Sequence, residues 1–309
     1  MFFRNLNVSR FDEPFTVTAE ELEAKLSAMP FRHCGQLEQV TVGFTPPLGR
    51  NSDQLVHVSD GRLMICLTSE TKVVPASVVN EEANQIICQI QEAQGRKVGR
   101  KEKKEIQEKA LLELLPRAFA KSSSTYAYVD VRKGWLIVDA SSSTKAEEVV
   151  SLIRKALGTL PVSRLTTEGS PSLSMTQWLA NQEVPENFMI GAECDLVESE
   201  QGATINCRKK DLDSEEIRNH LEKGMQVSRL AMTWKDRISF TVDDSLIIRK
   251  IKFLDGVMEE AAEVEADNEA QQFDADFHIM AAEIAGLLED LLKAFGGCKK
   301  AEGLMKEAA

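Results

Sequence analysis

Hydrophobic positions in the first 75 residues switch between helix-like and strand-like spacing. Thr18, Ala19, Glu20 and Glu21 form a capping box, in which a hydroxyl and a carboxylate each satisfy a backbone N–H of a first turn. It predicts a helix to about Met29, with Leu22 and Leu26 on one face. Strand-like runs follow over residues 37–44, ending at Pro46 and Pro47, and over 55–58 and 62–68, joined by Ser59, Asp60 and Gly61 as a hairpin. These elements predict a small mixed sheet.

From residue 80 to 115 the apolar spacing becomes helical, through Ile86, Ile87, Ile90 and Ala93, then Ile106, Ala110, Leu111 and Leu114. Gly95 and Gly99 interrupt it, which predicts two helical arms joined by a turn, and Pro116 stops the second. Each arm has a single apolar stripe, so the hairpin is expected to project, inserted in one α/β domain. Strand signals return at 125–131 and 135–140, then a helix at 144–157 with Val149, Val150, Ile153 and Leu157 inward. Residues 166–171 read as a linker. Beyond them lie a strand at 204–209, a helix at 214–223, an antiparallel meander at 226–233, 237–242 and 246–253, and a long helix at 274–295. The apolar stripe of that helix, Phe277, Met280, Ile284, Leu287, Leu288, Leu291 and Phe295, suits either a core or a dimer seam. The class is α+β, with mixed or antiparallel sheets in a multi-domain chain. Its expected division is 1–78 and 117–166 for a central α/β domain, 79–116 for the inserted hairpin, and 167–309 for a C-terminal part.

Charge changes the picture. The chain of 309 residues carries a formal net charge of −12, yet the twelve acids and no Lys or Arg of residues 255–290 account for all of it. The remainder is balanced, so basic clusters elsewhere act locally within a Debye length. The densest spans 96–121 with nine basic residues, Arg96, Lys97, Arg100, Lys101, Lys103, Lys104, Lys109, Arg117 and Lys121, against four glutamates. Arg208, Lys209 and Lys210 form a second. Glutamates at helical spacing offset Lys109 and partly Lys104, whereas Arg96, Lys97, Arg100 and Lys101 have no acid before Glu102. That pattern suits phosphate recognition or an acidic protein partner.

Catalytic signatures are missing from the sequence: there is no phosphate loop, nucleophile elbow, HExxH, EF-hand loop or dinucleotide fingerprint. The four histidines are isolated and the six cysteines dispersed, without metal-site spacing, so no catalytic residue, metal or cofactor is expected. Glu23 with Lys25, and Glu102 with Lys104, match the loose ExK half of a nuclease site, a pattern common in charged helices. Asp274 and Asp276 could chelate a cation but suit the first turn of a helix equally. No apolar stretch approaches a membrane span and the first residues lack a signal-peptide run, which reads as a cytoplasmic protein.

Four motifs carry a resemblance. GFTPPLG at 43–49, LLPRAF at 114–119, KKDLDSEEIRNH at 209–220 and FDADF at 273–277 stand in the order and spacing of the RdgC family of bacterial recombination-associated proteins, from Phe2 to the last helix. The resemblance implies a ring-shaped homodimer of curved subunits, residues 167–309 forming a base that dimerises, with a positively lined hole for double-stranded DNA, bound with little sequence preference and without catalysis; single-stranded DNA is a further candidate ligand. It implies antagonism of RecA and a nucleoid location. In the family the hairpin helps close the ring and the C-terminal domains make the other dimer contact. Phe119, Lys209 and Lys210, with Arg208 beside them, take the positions that matter for DNA. Phe119, between Arg117 and Lys121, could press on sugar or bases or could be a core residue following a helix-ending proline.

Overall fold

The computed structural model describes residues 1–198, 202–208 and 212–299. Chain order builds two antiparallel sheets in succession. The first has seven strands, β1 (Asn7–Phe11), β2 (Val40–Thr45), β3 (Val56–Ser59), β4 (Arg62–Val73), β5 (Phe119–Asp130), β6 (Trp135–Val138) and β7 (Val162–Arg164). Its order is β2-β4-β5-β6-β1-β7, and β3 pairs with β4 next to β2. The second has five, β8 (Phe188–Val197), β9 (Thr204–Arg208), β10 (Gln226–Trp234), β11 (Ile238–Asp243) and β12 (Ile248–Phe253), ordered β12-β11-β10-β8-β9. Where a mixed first sheet was expected, every pairing between its named strands is antiparallel. The meander at 226–253 is present as β10, β11 and β12.

Helices follow the local signals. The capping box at Thr18 and Glu21 starts α1 (Ala19–Leu26), whose Leu22 and Leu26 are buried. Between β4 and β5 stand α2 (Ala76–Gln94) and α3 (Arg100–Leu114), separated by a turn in which Gly95 caps α2 at φ 62°. That left-handed conformation costs glycine little and any other residue more. The two helices share a small cluster of their own, centred on Ala83, Ile106 and Ala110. Gln107 adds a hydrogen bond across the pair to Asn80 at 2.8 Å. α4 (Ser143–Leu157) packs Val149, Val150 and Ile153 onto the first sheet together with α1.

α5 (Pro171–Asn181), α6 (Glu215–Glu222), α7 (Asp255–Glu263) and α8 (Glu269–Ala294) complete the chain. Sequence reading did not name β1, β7, β8, α5 or α7. Three of these lack a clean period: β1 and β7 are short, and β8 carries a bulge and an interior glycine that breaks its alternation. The stripe of α8, ambiguous between core and seam, is core: Phe277, Met280, Ile284, Leu287, Leu288, Leu291 and Phe295 are all buried within this one chain. They meet Phe3, Leu6, Met64 and Tyr128 from the first sheet side and Val227, Leu230, Met232 and Trp234 from the second. Gly286 lets Trp234 approach so closely that a Cβ would stand 2.9 Å from the indole. The expected linker at 166–171 is tied to the end of α8, since Glu168 N–H donates to Gly297 O and Gly169 N–H to Phe295 O, both at 3.0 Å. Its small polar residues serve that close backbone approach, which a Cβ on Gly169 would block at 2.6 Å from Phe295 O.

Candidate functional site

The basic stretch read as one cluster divides into two along α3. Fifteen residues at about 1.5 Å each put about 22 Å of helix between the turn and the sheet end of the hairpin. At the turn, Arg96 is held by Glu102 through two hydrogen bonds of 2.7 and 2.6 Å. Arg96, expected to stand uncompensated because no acid precedes Glu102, is thus neutralised by Glu102 reaching back over the turn, and that hydrogen bond lowers the pKa of Glu102. Lys97, Arg100, Lys101 and Lys103 are exposed and enter no ion pair among the described residues. Lys104 and Lys109 pair with Glu108 and Glu113 at helical spacing, at 3.8 and 3.9 Å. Arg100, Lys101, Lys103, Lys104 and Gln107 line an open groove of about 550 Å³ along the helix. Four cations on one solvated face form a surface that phosphates can follow without base-specific contacts.

At the sheet end stand Arg117, Phe119 and Lys121. The strand expected from residue 125 begins at Phe119, because residues 119–124 extend the ladder against β4 to the pair Val73 and Phe119. Three consecutive serines gave no apolar alternation there, and the long β4 partner was the missing signal. Phe119 is 88% exposed, which decides against a core role. Register places it on one face with Val73, Val40 and Val42, all exposed, and with Thr71, Ser69, Lys121 and Ser123. This apolar patch with a hydroxyl and lysine border was not legible in the sequence, since β2 and β4 meet there only by pairing.

The opposite face of the same ribbon is polar yet closed. Glu70 accepts from Cys34 N–H at 2.7 Å and Ser122 Oγ at 3.0 Å and pairs with His33 Nδ1 at 2.7 Å. Lys72 Nζ donates to Gly35 O and Gln36 O at 2.6 and 2.8 Å. The bonds to Glu70, led by the Cys34 N–H, hold its carboxyl down at about 2. Together with Lys72 they fasten residues 30–39 across the strands.

Arg208 closes β9. It donates to Asp195 at 2.6 Å and to the carbonyls of Cys194 and Cys207 at 3.3 and 2.9 Å, and its Nε lies 3.7 Å from Glu193. The hydrogen bond to Asp195 raises its pKa. Lys209 and Lys210 lie outside the described residues. Of the nuclease-like carboxylates, Glu23 accepts the Leu55 and Val56 N–H groups at 2.9 and 2.8 Å and Glu102 holds Arg96; of the two candidate chelating aspartates, Asp274 pairs with His57 at 3.0 Å and Asp276 with the Met1 amino group. Among the described residues no three His, Cys, Asp or Glu side chains are grouped to hold a metal ion.

The acidic segment is largely engaged by its own chain. Glu260 and Glu283 clamp Arg237 with four hydrogen bonds of 2.7 to 2.9 Å, Glu289 pairs with Lys133, and Asp290 accepts from Trp234 and Lys235 at 2.8 and 3.1 Å. Glu269 accepts from Asn51 at 2.5 Å. No helix among the described residues is long and apolar enough to cross a membrane.

A protein-family model described as "Putative exonuclease, RdgC" matches residues 1–298. Relatives called recombination-associated protein RdgC match along nearly their whole length. The protein of Cupriavidus necator is 41% identical over 302 residues, covering 97% of this chain and 100% of the relative. That of Psychromonas ingrahamii is 38% identical over 298 residues, 96% of this chain and 99% of the relative. That of Yersinia enterocolitica is 36% identical, with 96% and 98% covered. With residues 1–298 of its 309 matched and these relatives 36–41% identical along nearly the whole chain, this chain belongs to the RdgC family of recombination-associated proteins.

Proposed function

We propose that this protein binds duplex DNA without catalysis and without sequence preference, as a ring-shaped homodimer that limits RecA-driven recombination by occupying or encircling the DNA. The observation that carries the reading is the hairpin turn and the solvated first turn of α3, where Lys97, Arg100, Lys101 and Lys103 have no carboxylate partner among the described residues although the chain as a whole is acidic. Phosphate contacts of this kind position a protein and leave bases unread. The hairpin helps close the ring and residues 167–309 supply the other subunit contact. The exposed Phe119 face contributes beside Arg117 and Lys121, and Lys209 and Lys210 add charge next to Arg208. The acids of 255–290 lie away from the DNA, which their engagement with Arg237, Lys133, His57 and Lys235 supports. Work at the nucleoid in the cytoplasm follows from that role.

Equilibrium titration of a fluorescent duplex of arbitrary sequence over a salt series tests the reading. The expected result is a steep linear fall of log K with log salt, alike for unrelated sequences, with single strands added as competitor. Lys97, Arg100 and Lys101 changed together to Gln should lower the slope by about one for each phosphate no longer neutralised. An unchanged slope removes the hairpin turn from the DNA surface. If DNA binding is intact in that variant while subunit assembly fails, the basic turn docks on an acidic protein partner instead. The family description favours a second test, magnesium-dependent shortening of labelled duplex ends, and cutting by the purified protein would overturn the noncatalytic reading.

A further inference from the structure

The five-stranded sheet has one face packed under α5 and α8, where Cys194, Leu196, Val227, Leu230 and Met232 are buried. Alternation sends Glu193, Asp195, Arg208 and Arg229 to the other face, and a chain of ion pairs runs across it. Asp195 takes Arg208 on β9 at 2.6 Å and Arg229 on β10 at 3.1 Å. Glu193 takes Lys250 at 2.5 Å and stands 3.7 Å from Arg208. Lys250 belongs to β12, three strand spacings from β8, about 14 Å in a flat sheet, so the sheet curls to bring its edges together over this face. Three cations thus share two carboxylates. Arg229 Nε is buried without a hydrogen-bond partner among the described residues, so the carboxylates leave part of the available donor capacity unused.

These pairs are positioned to be exchanged. The Lys250, Arg208 and Arg229 side chains are 57%, 37% and 36% exposed, so solvent and a competing anion can reach all three cations. A phosphate offers arginine the same two-oxygen geometry as a carboxylate. Arg208 directly precedes Lys209 and Lys210, so the network adjoins the second basic cluster of the sequence.

We propose that Glu193 and Asp195 act as built-in competitors of phosphate, holding Arg208, Arg229 and Lys250 until a nucleic-acid backbone takes those cations over, and thereby setting how tightly and how salt-dependently the protein holds DNA. This rests on the duplex-binding reading above. The two carboxylates are restraining residues, so removing their charge strengthens binding, the reverse of what removing a supporting residue does.

The test is the same duplex titration with the full chain, comparing wild type with Glu193→Gln, Asp195→Asn and, as a control of equal charge change outside the network, Glu265→Gln at an exposed position of the acidic segment. Glu193→Gln and Asp195→Asn should bind more tightly at a given salt concentration, with the slope of log K against log salt steeper by about one for each cation released. Glu265→Gln should leave the slope at the wild-type value. Wild-type slopes in both network variants, or weaker binding by them, overturn the inference while the duplex-binding reading stands. An equal gain in all three variants also overturns it, because net charge alone would then account for the change. Absence of binding by the wild type overturns the reading beneath it. Melting curves accompany each titration, and Glu193→Gln, at the more exposed carboxylate, keeps the test open if Asp195→Asn fails to fold.

Discussion

Phe119 separates contribution to stability from contribution to function at the level of one side chain. Because it is 88% exposed, Phe119→Ala should change stability by less than about 0.5 kcal/mol, while weakening duplex binding or subunit assembly. Paired thermal melts and titrations read both, and a drop in melting temperature of several degrees would return the ring to the core. Glu70 is the converse case, a carboxylate that acts on stability. Its pKa, depressed to about 2 chiefly by the Cys34 N–H bond and next by His33, means that its contribution is present above the ordinary carboxylate range. That contribution is lost as pH falls from about 4.5 toward about 2. Glu70→Gln should therefore lower stability at about pH 6 and flatten the acid limb of a denaturation series in that window. An acid limb identical to the wild type would mean that the bonds at Glu70 do not persist in solution.

At the scale of elements, the hairpin and the ribbon differ in how they are fastened. α2 and α3 depend on a small cluster around Ala83, Ile106 and Ala110, so their amides should exchange with solvent sooner than those of α8, which is buried along most of its length. Ile106→Ala should cost about 2–4 kcal/mol, confined to the hairpin, and hydrogen exchange should show the two helices opening while β10 and α8 keep their protection. The strap over β2 is fixed by backbone proximity. A Cβ on Gly43 would stand 2.4 Å from Phe31 Cα, and Pro30 bridges to Phe44 in the same place. Gly43→Ala should lose about 1–3 kcal/mol in urea denaturation, since backbone cannot yield as a flexible side chain would. Gly95 has open space around its missing Cβ, and only its φ of 62° is at stake, so Gly95→Ala should cost about 1 kcal/mol or less.

For the whole molecule, the consequence lies in the shared core. Side chains of α8 touch residues from both sheets, Tyr128 and Met64 on one side and Trp234 and Leu230 on the other, so the two sheets are expected to unfold together. Tryptophan fluorescence and far-UV circular dichroism should give coincident transitions, and Leu287→Ala, at a fully buried position, should lower both by about 2–5 kcal/mol without separating them. Separate transitions would show that residues 167–309 fold independently of the first sheet. The same helix carries part of the negative charge of the chain on its outer side, where Glu283, Glu289 and Asp290 are spent on Arg237, Lys133 and Lys235. The chain presents a basic surface at the hairpin turn while these acids are held by cations close to them.

Much of this was readable before any coordinates. The capping box of α1, the break at Gly95, the meander of the second sheet and the stripe of α8 are local patterns, set by backbone chemistry and by the helix and strand periods, and four motifs in order revealed the family. Pairing was not readable. That β4 extends β5 back to Phe119, that Glu102 reaches over a turn to Arg96, and that Lys250 and Arg208 share Glu193 across a curled sheet all join residues whose nearness depends on register and topology. Local pattern thus accounts for the hairpin helices, α1, α4, α8 and the meander, together with the family resemblance and the segregation of charge along the chain. Which charges remain free, and that Phe119 meets solvent, follow from the folded arrangement alone, because ion pairing and burial depend on distance in space, which neither composition nor period encodes.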